Sequence, residues 1–184
     1  MDKTDIHKCI DHIKLVSLTK DILLDDFVSE YKEYELFLKE NALKYQEKNI
    51  SFTHLLIHRV DNGIMAYMTL STDAIQLTSD EKECSDMNEI PFSTIPALKI
   101  GKLCVDDNYR ELYSGIGSLM IDFARGFAFT INENGVACRF LTIDADIEHN
   151  PSVVAFYEVN RFVANEKYRK RTVSISMRKD VFSM

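Results

Sequence analysis

Apolar and polar positions alternate from Ile13 to Leu18, a period of two that predicts a short first strand. Thr19 or Asp21 then caps a predicted helical segment through Leu23, Leu24 and Phe27. A second helix is predicted from about Tyr34 to Glu47, with Leu36, Phe37, Leu43 and Tyr45 on its buried side. Phe52 to Val60 is β-like, Asp61, Asn62 and Gly63 form a hairpin-turn signal, and the returning strand runs from Ile64 through Leu70 toward Leu77. Thr78 to Asn88 is rich in Ser, Asp and Glu and reads as a mobile surface loop. Pro91 and Pro96 bracket the entrance to an apolar strand, Ala97 to Val105. A polar turn, Asp106 to Ser114, leads to Gly115 and a long helix whose stripe is Leu119, Met120, Phe123, Phe127 and Ala128. Asn132 to Gly135 stops that helix, and Val136 to Ile143 is another buried strand. Asn150, Pro151 and Ser152 open a short helix carrying Val153, Val154, Phe156 and Tyr157. Arg161 to Ala164 and Thr172 to Met177 supply two final strands. The order β-α-α-β-β-β-α-β-α-β-β predicts an α/β protein with a mixed sheet of about seven strands and helices on both faces. Residues 1–184 are expected to form a single domain.

Charge and cysteine usage narrow the setting. A net charge of −7 argues against non-specific nucleic-acid binding by the whole surface. The four cysteines, Cys9, Cys84, Cys104 and Cys138, are scattered without a C-x-x-C pair, which predicts reduced thiols and no zinc site. The first residues lack an apolar leader-like stretch, and no apolar run reaches a membrane-spanning length. The expectation is a cytoplasmic protein with no membrane partner.

The stretch Lys99 to Thr130 carries the most chemistry. An apolar strand, a turn bearing Gly115 and Gly117, and a helix start leave backbone N–H groups and a helix dipole facing one place, which suits a phosphate or pyrophosphate. G-x-G also occurs in ordinary turns, so the motif alone leaves turn chemistry open.

That stretch, with a second motif downstream, resembles the GNAT superfamily of acetyl-CoA-dependent N-acyltransferases. Gly115 and Gly117 match the family's Q/R-x-x-G-x-G/A loop after its central strand. Asn150, Tyr157 and Phe162 match a later N-x(6)-Y motif, and AFYEVNRF is similar to the family's AFYEKNGF. The likeness covers roughly Ile13 to Met177. Three positions depart from it. The approach from Tyr109 to Gly115 is two residues longer, Leu112 stands where Gln or Arg is usual, and Arg161 replaces a glycine. The N-terminal half resembles a branch that includes toxin acetyltransferases acting on aminoacyl-tRNA and encoded beside a small antitoxin. Phe37, Leu38, Lys39, Ala42, Tyr67, Leu70 and Ser71 carry that likeness, while the branch's cysteine–glycine pair is missing.

The resemblance implies acetyl transfer to a primary amine. Leu103, Cys104 and Val105 are then the backbone positions for the pantetheine. Ser114, Gly115, Ile116, Gly117 and Ser118 meet the pyrophosphate, with Arg110 as charge partner. Asn150 is expected on the pantetheine arm, with helix capping as its structural alternative. Tyr157 is the expected general acid, since a phenol titrates near an alkyl thiol. Asp144 is the tentative base, with Asp146, Glu148, His149 or water as alternatives. His54 and His58 share a strand face but lack a third ligand, so no metal is expected. Cys104 as a covalent nucleophile is the less favoured route. Expected partners are the acceptor amine and a homodimer, with a small antitoxin or tRNA on the toxin branch. The alternative of another class is a degenerate domain that binds CoA or a partner without catalysis.

Overall fold

In a computed structural model of the chain, residues 3–168 and 173–183 are described. The strands are β1 (Thr4–Asp5), β2 (Ile13–Ser17), β3 (Phe52–His58), β4 (Ile64–Gln76), β5 (Thr94–Val105), β6 (Tyr113–Ser114), β7 (Phe140–Asp146), β8 (Val163–Ala164) and β9 (Ser174–Asp180). The helices are α1 (Lys32–Leu36), α2 (Ala42–Glu47), α3 (Ser79–Cys84), α4 (Asp107–Leu112), α5 (Ile116–Glu133) and α6 (Val153–Val159). One seven-stranded sheet has the order β2-β3-β4-β5-β7-β9-β8, and β1 pairs with β6 in a two-stranded ribbon. The predicted mixed sheet is therefore present. The last predicted strand begins at Thr172, which lies outside the described residues, and β9 is seen from Ser174.

The chain forms two compact units, Met1–Ser71 with Ile100–Phe123, and Thr72–Lys99 with Ala124–Met184. In the first, Asn62 takes the left-handed backbone (φ 59°) that the hairpin turn requires, and β3 and β4 pair antiparallel on either side. Leu55, Ile57, Ile64 and Tyr67 from this hairpin pack with Leu18, Phe27, Leu38, Ala42 and Cys104. The Phe27 and Tyr67 rings meet edge-on at 5.6 Å.

One prediction fails here and a second holds in part. No helix forms over Thr19–Phe27. The segment makes only isolated turns, Ile22 N–H to Thr19 and Phe27 N–H to Leu24, and side chains from later in the chain bond carbonyls within it and just before it. Asp25 accepts from the Lys39 ammonium and Leu18 from the Gln46 side chain. The second helix does form, but a π turn at Phe37–Asn41 joins α1 to α2. Phe37 and Leu43 pack against the core as predicted, while the additional residue brings Leu38 and Ala42 fully inward and leaves Leu36 and Tyr45 exposed.

In the second unit, Ile75, Leu77, Met87, Ile95, Ala97 and Phe140 form a core cluster. The predicted loop at Thr78–Asn88 is ordered. The Thr78 hydroxyl accepts from the Glu81 N–H, and the Glu81 carboxylate accepts from the Thr78 N–H, a capping box that starts α3. Glu81 is buried, 2.6 Å from the Arg178 guanidinium, which also donates to Asn165. These partners compensate its desolvation. β7 starts at Phe140 and not at Val136. Asn132 accepts from the Cys138 N–H and donates to the Cys138 carbonyl, holding 136–138 out of the strand.

Candidate functional site

The strand–turn–helix cradle belongs to the first unit. Asp106 follows β5 directly and is buried. One of its oxygens accepts from the Asn108 and Tyr109 N–H groups and so caps α4, while the other accepts from Val28 N–H at 2.8 Å. The longer approach to Gly115 is absorbed by α4 itself, a short helix where the sequence suggested a plain turn. Tyr113 and Ser114 then pair in parallel with Thr4 and Asp5. Gly115 follows with φ 83°, and its carbonyl accepts from Leu119 N–H as α5 begins. A Cβ at that φ would be strained, so glycine is required by the backbone alone. Ser114 and Gly115 are exposed, Gly117 and Ser118 half-buried, and Ile116 is buried.

Arg110 is committed elsewhere. Its guanidinium stands 2.8 Å from Glu30 and donates to the Val105 carbonyl at 3.2 Å, so as a phosphate partner it would first have to leave Glu30. Leu112, in the place usually held by Gln or Arg, is exposed.

On β5, the Lys102 N–H donates to the Thr69 hydroxyl at 2.9 Å, and a Cβ on Gly101 would lie 2.8 Å from that same oxygen. Glycine is needed there for the close approach of Thr69. Leu103 and Val105 are half-buried, while Cys104 is buried with its Sγ 3.4 Å from Ser29 Oγ. Burial, only partly offset by Ser29, pushes the Cys104 thiol up to about 11. It stays protonated near neutrality, which speaks against a nucleophilic role. His54 is buried, and desolvation lowers its pKa. His58 pairs with Asp61 at 3.0 Å. Among the described residues no cluster of His, Cys, Asp and Glu has metal-site geometry.

The second unit holds the downstream motif. Arg161 has φ 66°, its N–H bonds to the Glu158 carbonyl, and Phe162 N–H reaches back to the Tyr157 carbonyl. These two bonds and the left-handed residue make a Schellman C-cap, whose usual apolar contact is the Tyr157–Phe162 ring pair at 5.4 Å. The glycine expected before Phe162 is thus a conformational requirement that Arg161 meets under strain. The cap, with Phe156 at 5.1 Å, fixes the Tyr157 ring. Tyr157 is buried, and desolvation first, then the Asp146 carboxylate, raises its pKa well above the ordinary phenol value.

Asn150 does not cap α6, whose N-cap is Ser152 without a side-chain cap bond, and instead closes a tight turn just ahead of the helix. Its side-chain oxygen accepts from the Ser152 N–H at 3.1 Å and from the Ser152 hydroxyl at 2.7 Å. Asp144 pairs with Lys99 at 2.8 Å, and Asp146 pairs with His149 at 2.8 Å. Lys99 and Ser29 escaped the sequence reading because they lie 45 and 75 residues from their partners, beyond any local spacing rule.

No family model matches the chain, and no curated protein matches its sequence. Solved structures do. AtaT complexed with acetyl-methionyl-tRNAfMet superposes with a TM-score of 0.73 at 19% identity, covering 89% of this chain and 93% of that one. The chain has the GNAT fold. A tyrosine-to-phenylalanine mutant of KacT gives 0.74 at 16% identity, with 92% and 95% covered. A mutant AtaT toxin bound to the C-terminus of the antitoxin AtaR and acetyl-CoA gives 0.71 at 16%, with 93% and 94% covered. Among the described residues no helix is long and apolar enough to cross a membrane.

Proposed function

We propose that this chain is an acetyl-CoA-dependent N-acetyltransferase of the toxin type, which acetylates the α-amine of an aminoacyl-tRNA by direct transfer. The observation that carries the reading is the likeness, over 89% of this chain, to AtaT in complex with acetyl-methionyl-tRNA, and the left-handed Gly115 turn between β6 and α5 supports it. A small antitoxin is the matching partner, as in the structure of AtaT with the C-terminus of AtaR, and a charged-tRNA substrate implies the cytoplasm as location.

Acetyl-CoA would supply the thioester. Backbone N–H groups of Ser114 to Ser118 would hold its diphosphate, those of Leu103 to Val105 its pantetheine, and the Asn150 amide the arm beyond. The amine nitrogen attacks the carbonyl carbon, the C–N bond forms and the C–S bond breaks. The departing thiolate takes the Tyr157 phenol proton. Burial keeps the phenol protonated before the thioester is cleaved, so the proton is present on Tyr157 when the sulfur leaves, although its release costs more than from an exposed phenol. Asp144 is engaged by Lys99, so the proton released from the attacking amine is assigned to water.

The test incubates the purified chain with labelled acetyl-CoA and a panel of charged tRNAs, free amines and peptides. Label is expected on the aminoacyl end of charged tRNA. Label on free amines only would leave an acetyltransferase and remove the toxin reading. No calorimetric binding of acetyl-CoA would sink both.

A further inference from the structure

Four side chains of the first unit, outside the residues assigned to chemistry, converge on the hairpin turn. The Tyr109 hydroxyl donates to Asp61 Oδ1 at 2.7 Å, and the same carboxylate oxygen accepts from the Gly63 N–H at 2.9 Å and from His58 Nδ1 at 3.0 Å. A carboxylate only accepts, so His58 carries its proton on Nδ1, which leaves Nε2 to face the Tyr113 hydroxyl at 3.4 Å. Tyr109 and Tyr113 stack with ring centres 6.4 Å apart, and His58 lies about equally close to both. Gly63 makes room for this contact, since a Cβ there would fall 2.0 Å from the Tyr109 hydroxyl oxygen.

The position of these residues along the chain gives the cluster its meaning. Tyr109 lies on α4 and Tyr113 on β6, the two elements that separate the cofactor strand from Gly115. Pinning both rings to a rigid hairpin turn fixes where the chain enters the Gly115 turn. The other side of that turn is set by Ile6, buried and 3.4 Å from where a Gly115 Cβ would stand. A loop that binds an anion through backbone N–H groups works only when those groups are held in place before the ligand arrives.

We infer that Tyr109, docked on Asp61 through the space left by Gly63, is a positioning residue for the diphosphate cradle at Gly115–Ser118. It sets affinity for the diphosphate end of the cosubstrate and leaves the thioester end unaffected. The inference rests on the acetyl-CoA reading of the site.

Three variants test it, Tyr109→Phe, Gly63→Ala and the double variant, each assayed with acetyl-CoA and with acetylpantetheine, which lacks the diphosphate. Each single variant should raise KM for acetyl-CoA about tenfold, the usual size for loss of one charge-assisted hydrogen bond, with kcat changed less than about twofold. Values for acetylpantetheine should stay at the wild-type level. The double variant should be no weaker than either single one, because both break the same contact. An unchanged KM for acetyl-CoA, or an equal rise for both cosubstrates, overturns the positioning role. Failure of the wild-type chain to bind CoA by calorimetry overturns the acetyl-CoA reading beneath it, a result distinct from the other two.

Discussion

The Lys99 ammonium lies 2.8 Å from Asp144 Oδ2, with both side chains only about a third exposed. To take a proton from an incoming amine, Asp144 would have to give up part of this pairing. Asp144→Asn is therefore expected to lower kcat less than tenfold and to leave KM for acetyl-CoA in place. Steady-state kinetics check this, and a loss of about 100-fold or more, the usual scale for a removed general base, would restore Asp144 to that role.

Tyr157→Phe separates packing from proton donation. The ring contacts to Phe156 and Phe162 survive the change, so stability should shift by less than about 1 kcal/mol. kcat should fall about 100-fold or more, since only the hydroxyl is removed. A variant with full kcat would end the general-acid assignment.

Arg161→Gly should stabilise the chain. A non-glycine residue at φ 66° costs about 1 kcal/mol, and glycine carries no such penalty. For a chain of this size that corresponds to a rise in Tm of about 2–4 °C by scanning calorimetry. A drop in Tm would mean that the Arg161 side chain supplies more than its backbone costs.

Glu35 gives an acid-sensitive point. Hydrogen bonds from Lys32, Lys39 and the Ser29 N–H hold its carboxyl at about 2, against an ordinary 4.5. A depressed folded-state value means the stabilisation is complete above pH 4.5 and is lost as pH falls toward 2. Glu35→Gln should cost about 1–2 kcal/mol at neutral pH, and the gap to wild type should close across that window in urea unfolding. A gap independent of pH would refute the assignment.

Local signals identified the elements whose causes are local. Asn62 and Gly63 marked the hairpin because a left-handed residue was needed there, and Gly115 marked the cradle for the same reason. The stripe of α5 was readable, and Leu119, Met120 and Ala128 are buried as it predicts. Misreadings came where the deciding partner is remote. Glu81 looked like loop acid because Arg178, 97 residues on, is invisible to any window. Thr19–Phe27 looked helical because Lys39, which binds its Asp25 carbonyl, and Gln46, which binds the Leu18 carbonyl just before it, come later in the chain. In the site, Arg161 read as a departure from pattern, and its φ shows that the pattern encodes backbone shape. The same distance hid the Tyr109–Asp61 contact, which spans 48 residues.

The π turn at Phe37–Asn41 is the form a helix takes when it has absorbed one surplus residue. Residues before and after it are out of phase by about 100°, one step of an ordinary helix. Any alignment that carries a single heptad or helical phase through Lys32–Glu47 will therefore equate the wrong positions on one side. The correct correspondence places a one-residue gap within Phe37–Asn41, and with it Leu38 and Ala42 become the equivalents of a regular helix's inward residues.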